Sequence, residues 1–231
     1  MKKLVILLAL MFFATTSFAT PLQDVFNDIT VGGDSSVDVT TDMVADLNDS
    51  YWDIGGTGGS VSTMIIELAG FAPNNKFGIF NNDVYVELFS GSSVAGNQVL
   101  LSIDAVGGAY VNNTYVTNIG ATTFGYYLDS SYYANGGLFH SDTSLNDDGM
   151  DHMYAYEGVG DKVQIDPWAA GSWGSNEYIL AFEDLTAAAA DWDFTDMVVM
   201  VESVSPVPEP ATLLLLGSGL VGLAFMKRRK S

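Results

Sequence analysis

The 231-residue sequence predicts an all-β fold, an antiparallel β-sandwich or jelly-roll-like domain, with a segment at each end that does not belong to it. Three observations favour this fold class. Hydrophobic residues recur with a period of two, as in strands that bury one face. Turn-forming Gly, Asn and Asp residues separate these segments, and no long stretch keeps a helical period. A parallel α/β fold needs helices between its strands, so the pattern argues against it.

The alternation is clearest in two segments. In residues 84–89, Val84, Val86 and Leu88 alternate with the residues between them, and residues 177–182 follow the same pattern with Tyr178 and Leu180 on one face. We predict one buried face for both strands. Further strands are predicted at residues 61–68, 98–104, 114–119, 122–128, 151–157 and 197–202. Residues 185–190, with four alanines, are expected to form a short helical turn or a loop.

The N-terminal segment has the layout of a secretory signal peptide. Lys2 and Lys3 precede an apolar run over residues 4–13, and the small residues Ser17 and Ala19 follow it. This run is too short to span a bilayer stably. We therefore predict a signal peptide over residues 1–19, handled by the Sec machinery and cleaved after Ala19 by signal peptidase. The chain has no cysteine, so no disulfide can stabilise the exported domain.

Charge is distributed unevenly along the chain. The sequence has 28 acidic and 8 basic residues, a net charge of −20, but six of the bases lie in the terminal segments. Residues 20–206, the predicted extracytoplasmic domain, hold 2 bases and 27 acids. Nucleic acid is therefore excluded as a partner, since phosphate binding needs clustered Lys and Arg. A cation is the simpler counterpart for this domain.

Acidic residues are concentrated in the second half of the domain. Calcium prefers six to eight oxygen ligands, and carboxylates one or two residues apart on a loop can converge on one ion. The sequence therefore predicts a calcium site whose ligands come from Glu183, Asp184, Asp191, Asp193 and Asp196. The alternative is that these residues form solubilising turns and caps, since Asp favours turns for its own backbone bonding.

An earlier acidic loop supplies secondary candidates for metal ligation, namely Asp142, Asn146, Asp148 and Asp151. In this loop Asn146, Asp148 and Gly149 match positions 3, 5 and 6 of an EF-hand. Ser144 and Ala155, however, occupy positions 1 and 12, where that motif needs carboxylates. The EF-hand itself is therefore excluded.

Enzymatic motifs are not found. The two histidines, His140 and His152, lie twelve residues apart, and neither a nucleophile elbow nor an HExxH motif is present. We expect both histidines to form local hydrogen bonds and the protein not to be an enzyme. Trp52, Trp168 and Trp173 either stack on sugar rings or anchor loops onto the core, and we favour the second interpretation.

The C-terminal segment, residues 207–231, has three parts. Pro208-Glu209-Pro210 is followed by the apolar residues 211–226 and then by the basic residues Lys227, Arg228, Arg229 and Lys230. Together they resemble the PEP-CTERM sorting signal of Gram-negative bacteria. This resemblance implies recognition by an exosortase, which removes the tail and delivers the protein to the cell surface or matrix. Until then, a transmembrane helix over 211–226 would anchor the chain in the inner membrane, with the basic cluster in the cytoplasm.

A second resemblance covers roughly residues 75–202. The stretch Phe182-Glu183-Asp184-Leu185 and the later Asp191-Trp192-Asp193-Phe194-Thr195-Asp196 resemble part of a β-rich domain of unknown function common in secreted bacterial proteins. Thr195 stands where Asn is usual in that family. The resemblance supports the fold and the exported location, and it implies no established activity.

These observations predict an exported protein of the cell surface or exopolysaccharide matrix, with a structural or adhesive β domain stabilised by calcium. The alternative is a carbohydrate-binding module or carbohydrate-active enzyme of the extracellular matrix. The expected partners are the exosortase, the Sec machinery and signal peptidase, the membrane before processing, and an exopolysaccharide.

Overall fold

The computed structural model describes residues 21–55, 58–66 and 74–208. The predicted signal peptide (residues 1–19), the apolar segment 211–226 and the basic residues 227–230 lie outside the described residues, as do Glu209 and Pro210. Within the described part of the chain, every helix is too short or too polar to cross a membrane.

The described residues form two short helices, α1 (Leu22–Ile29) and α2 (Asp46–Asp49). All other regular elements, apart from a 3-10 turn at Thr143–Leu145, are strands. In chain order these are β1 (Trp52–Ile54), β2 (Ser60–Ile66), β3 (Lys76–Asn81), β4 (Val84–Ser90), β5 (Gln98–Ile103), β6 (Gly108–Val111), β7 (Thr114–Asn118), β8 (Gly125–Asp129), β9 (Leu138–His140), β10 (Met153–Glu157), β11 (Asp161–Val163), β12 (Gly171–Trp173), β13 (Glu177–Phe182), β14 (Met197–Glu202) and β15 (Val204–Pro206).

The strands form two large antiparallel sheets and two small ones. The larger sheet has seven strands in the order β10-β13-β14-β2-β5-β6-β7, and the other has four in the order β4-β3-β8-β9. Two-stranded ribbons are formed by β1 with β15 and by β11 with β12. The all-β prediction is confirmed.

The main core lies between the two large sheets. Phe77 and Tyr126 of the four-stranded sheet belong to the same buried cluster as Leu180 and Val199 of the seven-stranded sheet. Trp52 is fully buried within this cluster and packs edge to face against Tyr126 and Tyr178. Burial of aromatic and branched side chains on both inner faces is what holds a sandwich together.

Strands β13 and β14 of the seven-stranded sheet are also buried on the outer face, contrary to the sequence prediction of one buried face for residues 177–182. Ile179 and Ala181 are as inaccessible to solvent as Leu180 and Phe182 between the sheets. The outer face packs against α1, where Phe26 contacts the rings of Tyr156 and Trp173 edge to face. Central strands that are covered on both sides lose the alternation that marks half-exposed strands.

Helix α1 was not predicted from the sequence. Leu22, Val25, Phe26 and Ile29 have the i, i+3, i+4, i+7 spacing of an amphipathic helix, but the segment is only eight residues long. Helices this short gain their stability from tertiary packing, so their sequence signal is weak. Residues 185–190 form turns rather than a helix. The strand prediction for 197–202 is confirmed at both ends.

Phe26→Ala should destabilise the protein strongly, because it removes a fully buried ring that covers the outer face of the sheet. We expect a loss of about 3–5 kcal/mol in the free energy of unfolding, measured by urea titration of the full chain in detergent. Val31→Ala, at a position that is 49% exposed just after the helix, is the control and should change it by less than about 0.5 kcal/mol. Equal effects of the two changes would show that α1 does not cover the sheet.

Candidate metal centre

The connection between β13 and β14 brings five carboxylates to one end of the seven-stranded sheet. Three of them, Glu183, Asp184 and Asp196, offer oxygen atoms that lie within 4.8 Å of one another. Asp191 and Asp193 form a second such group with the same Asp196. All five primary residues predicted from the sequence are thus brought together, and Asp196 is common to both groups.

The acidic side chains of the connection accept hydrogen bonds from its own backbone and so stabilise its conformation. Glu183 lies at the end of β13, and its carboxylate accepts hydrogen bonds from the backbone N–H of Leu185 at 3.1 Å and of Trp192 at 2.8 Å. Asp196 accepts one from the N–H of Asp184 at 3.0 Å. These bonds draw the two ends of the connection together, so the carboxylates are positioned by the backbone. A preorganised set of oxygens binds a cation with little reordering.

Asn75 adds an amide to this centre from a distant part of the sequence. Its side chain is fully buried, and its Nδ2 donates a hydrogen bond to Asp184 Oδ2 at 3.0 Å. The Oδ1 of the same amide is buried and has no hydrogen-bond partner among the described residues. A buried acceptor without a partner is costly, and amide oxygens are ligands that calcium uses. No local pattern in the sequence points to Asn75, because 109 residues separate it from Asp184.

Burial raises the pKa values of the inner carboxylates. It raises the pKa of Asp196 to about 8, with the charge of Asp184 adding to the effect, and that of Glu183 to about 7, with Asp191 adding. The pKa of Asp184 is also raised, again by burial first. The charged forms are therefore disfavoured chiefly by burial, and the mutual repulsion of the carboxylates adds to that effect. A bound cation would relieve that repulsion.

Among the described residues, no basic side chain forms an ion pair with these carboxylates. The ion pair found there joins His152 to Asp148, and neither Lys76 nor Lys162 lies within ion-pair distance of an acid. Calcium–oxygen distances are about 2.3–2.6 Å, so oxygens on opposite sides of one ion are about 5 Å apart. The separations within both groups meet this condition. The arrangement can therefore hold a hard divalent cation, with water completing the ligand shell.

The secondary candidates from the earlier loop serve as turn and capping residues. Asp142 caps the 3-10 turn by accepting from the N–H of Ser144, and Asp151 accepts from the N–H of Met153. The side-chain amide of Asn146 accepts a hydrogen bond from the N–H of His140 and donates one to the carbonyl oxygen of the same residue. Asp148 binds His152, 3.0 Å from its Nε2, and the N–H of Ala187. The Asp148 contacts tie this loop to the β13–β14 connection.

Both histidines lie in packed surroundings. His152 is fully buried and stacks on Phe139 at a centroid distance of 3.9 Å. His140, in β9, places Nε2 2.9 Å from the hydroxyl of Tyr85, and burial lowers its pKa.

The three tryptophans singled out in the sequence differ in exposure. Trp52 and Trp173 are fully buried in the two cores, as the loop-anchor interpretation expects, whereas Trp168 is 44% exposed.

A second acidic cluster surrounds Asp49, and it was not predicted from the sequence. This residue is 1% exposed, and its Oδ2 has no hydrogen-bond partner among the described residues. Burial raises its pKa to about 9, and the charges of Asp151 and Asp46 raise it further. Burial raises the pKa of Asp151 to about 7. Asp49 is therefore neutral in the folded protein at physiological pH.

Family models match the chain in two places. Residues 206–230 match the PEP-CTERM protein-sorting motif, and residues 99–204 match a domain of unknown function, DUF4114. Both resemblances noted in the sequence are confirmed, and the second match includes the whole β13–β14 connection. Neither a curated protein nor a solved structure matches the chain at the significance that we required.

The sorting motif identifies an exported protein. Such a motif implies processing by an exosortase, and it anchors the chain transiently at the membrane through its C-terminus. The DUF4114 match agrees with the β-rich structure of the domain and carries no assigned activity.

Asp49→Asn should flatten the pH dependence of stability. The pKa of Asp49 is about 9 in the folded protein and about 3.9 when unfolded, so its stabilising contribution is complete below pH ~4 and is lost as the pH rises toward 9. Asn stays neutral throughout. Between pH ~5 and ~9 the wild type should lose at least about 1.4 kcal/mol more than the variant, measured by urea unfolding with a chelator present. Parallel pH profiles would contradict the assignment.

Proposed function

We propose that this protein, which carries a PEP-CTERM sorting motif and a DUF4114 domain, is delivered by an exosortase to the cell surface or extracellular matrix and acts there as a non-enzymatic, calcium-stabilised structural or adhesive β-sandwich. The observation that carries the calcium part is the convergence of five carboxylates on one strand connection, where none of the bases that the structure describes forms an ion pair with them. The sorting part rests on the motif at residues 206–230.

Calcium fits this centre better than other ions. All the side-chain ligands on offer are oxygens, with no cysteine in the chain and no histidine in either group. Oxygen-only sets suit calcium and magnesium, whereas zinc favours nitrogen and sulfur. Magnesium requires near-ideal octahedral geometry and keeps several waters, while calcium tolerates an irregular shell of six to eight oxygens. An irregular loop with five carboxylates and the Asn75 oxygen favours calcium.

Calcium would also serve the stability of the exported domain. Without disulfides, the loops at this end of the sandwich depend on hydrogen bonds from backbone N–H groups to carboxylates that repel one another. An ion that binds the folded state alone stabilises it by about 2.7 kcal/mol at a concentration one hundred times its Kd. For a domain of this size, that corresponds to a rise in Tm of about 5–10 °C. Extracellular calcium modules work in the 10⁻⁴–10⁻³ M range, so stabilisation would be confined to the exterior of the cell.

Asp196→Asn should have opposite effects with and without calcium. The variant loses the carboxylate common to both groups, so the calcium-dependent rise in Tm should disappear. In the presence of a chelator at pH ~8 the variant should melt at a higher temperature than the wild type, because a buried charge and its repulsion with Asp184 are removed.

The matched control is Asp83→Asn, an exposed acid in the β3–β4 turn, which should alter neither measurement. The measurement is thermal unfolding of the full chain in detergent, with calcium or chelator. A calcium-dependent rise that persists in Asp196→Asn would rule out this centre as the calcium site.

The sorting part of the proposal is tested in the source cell. Replacing Pro208, Glu209 and Pro210 by alanine should leave the protein in the inner-membrane fraction, because the exosortase no longer recognises the tail. The matched control, Val207→Ala, changes the residue just before Pro208-Glu209-Pro210 and should leave delivery unchanged. Fractionation followed by immunoblotting measures both, and normal surface delivery of the triple variant would refute recognition through these residues.

A further inference from the structure

A cavity of about 250 Å³ lies on the outer face of the seven-stranded sheet, far from the candidate metal centre. Glu177 begins β13 and Glu202 ends β14, whereas the acidic connection joins the opposite ends of these strands. Six residues of strand separate the two places, a distance of about 17 Å. The residues that line the cavity include Gln98, Trp168, Ser172, Glu177, Met200 and Glu202.

Two carboxylates face each other in this cavity without a counter-charge. Glu177 and Glu202 are direct partners in the β13–β14 register, and like charges at such positions destabilise a sheet. Glu177 Oε2 accepts a hydrogen bond from the N–H of Gly174 at 2.7 Å. No described base forms an ion pair with either residue. Burial, and then the charge of Glu177, raise the pKa of Glu202.

The wall of the cavity is an indole ring held in a fixed position. Trp168 is 44% exposed, and its Nε1 donates a hydrogen bond to the carbonyl of Gly96 at 2.8 Å. Gly96 has a φ of +81° and packs so closely on Asp166 that an added Cβ would overlap its carbonyl oxygen. The loop that carries Trp168 is therefore packed tightly against the 94–97 turn. A partly exposed, immobilised indole face attracts cations and packs on the apolar face of a sugar ring.

We propose that this cavity binds one unit of an amino sugar, with its protonated amine between Glu177 and Glu202 and its ring against Trp168. An ammonium group has three donors for the two carboxylates, and it supplies the positive charge that the sheet lacks at this point. The hydroxyl of Ser172 is available to the hydroxyls of the sugar. Met200 forms an apolar floor.

The size and charge of the cavity select this ligand over others. Its volume is just below the 300–1,000 Å³ usual for ligand pockets, so it accommodates a single ring rather than an extended oligomer. An acidic sugar would add to the repulsion between the two carboxylates. A neutral sugar would leave that repulsion uncompensated. The inference goes beyond the proposed function and does not depend on calcium.

The test is a titration of the full chain, in detergent at neutral pH with a chelator present, followed by saturation-transfer NMR of the sugar. The probes are glucosamine, N-acetylglucosamine and glucose, which have the same ring and differ in charge. Glucosamine should bind about tenfold or more tightly than the other two, because only its amine pairs with the carboxylates.

Variants locate the binding. Glu202→Gln and Trp168→Ala should each weaken glucosamine binding about tenfold or more, while Glu87→Gln, an exposed acid on β4, should leave it unchanged. Glu202→Gln removes a like-charge contact, so its Tm should equal or exceed that of the wild type. Loss of binding in that variant then reports the site and not misfolding.

Three outcomes would overturn the proposal. Equal binding of glucosamine and N-acetylglucosamine would exclude recognition of the amine. Equal binding of the lysine derivative Nα-acetyl-lysine amide would exclude recognition of the sugar ring. Unchanged binding in both variants would exclude this cavity.

Discussion

One electrostatic constraint governs this fold: negative charge is concentrated at the ends of β13 and β14, and no base in the described part of the chain pairs with it. Five carboxylates meet in the connection between these strands, and two more face each other at the opposite ends. The strands themselves are buried on both faces, so the charges can be accommodated only where the strands end. Folding holds them together against their repulsion, because the core and the outer layer fix the register of the two strands.

The rest of the fold supports this pair of strands. The inner face of the sheet packs on the four-stranded sheet around Trp52, and the outer face packs on α1 through Phe26. Asp184 is tied to Asn75 beside β3, and Asp148 ties the neighbouring loop to Ala187. These contacts tie the acidic connection to two other parts of the chain. Under the proposed function, a cation bound there would stabilise all of these contacts together in a domain without disulfides.

The class of fold, the C-terminal sorting motif and the acidic residues that meet in the β13–β14 connection could be predicted from the sequence, because alternation, charge and short motifs are local signals. It did not predict that Ile179 and Ala181 are buried, since the helix that covers them lies about 150 residues earlier in the chain and is only eight residues long. Asn75 and Asp49 were missed for the same reason. Their importance comes from partners that are distant in sequence, such as Asp184 and Asp151.

The proposed function requires a calcium ion in the β13–β14 connection. A crystal structure of the protein grown with calcium, with anomalous diffraction to identify the ion, tests it most directly. We predict density bound to Asp196 together with oxygens of one or both carboxylate groups, at about 2.3–2.6 Å from each ligand oxygen. If these carboxylates contacted only water and protein groups, at a calcium concentration that saturates extracellular modules, the β13–β14 connection would not be a calcium site.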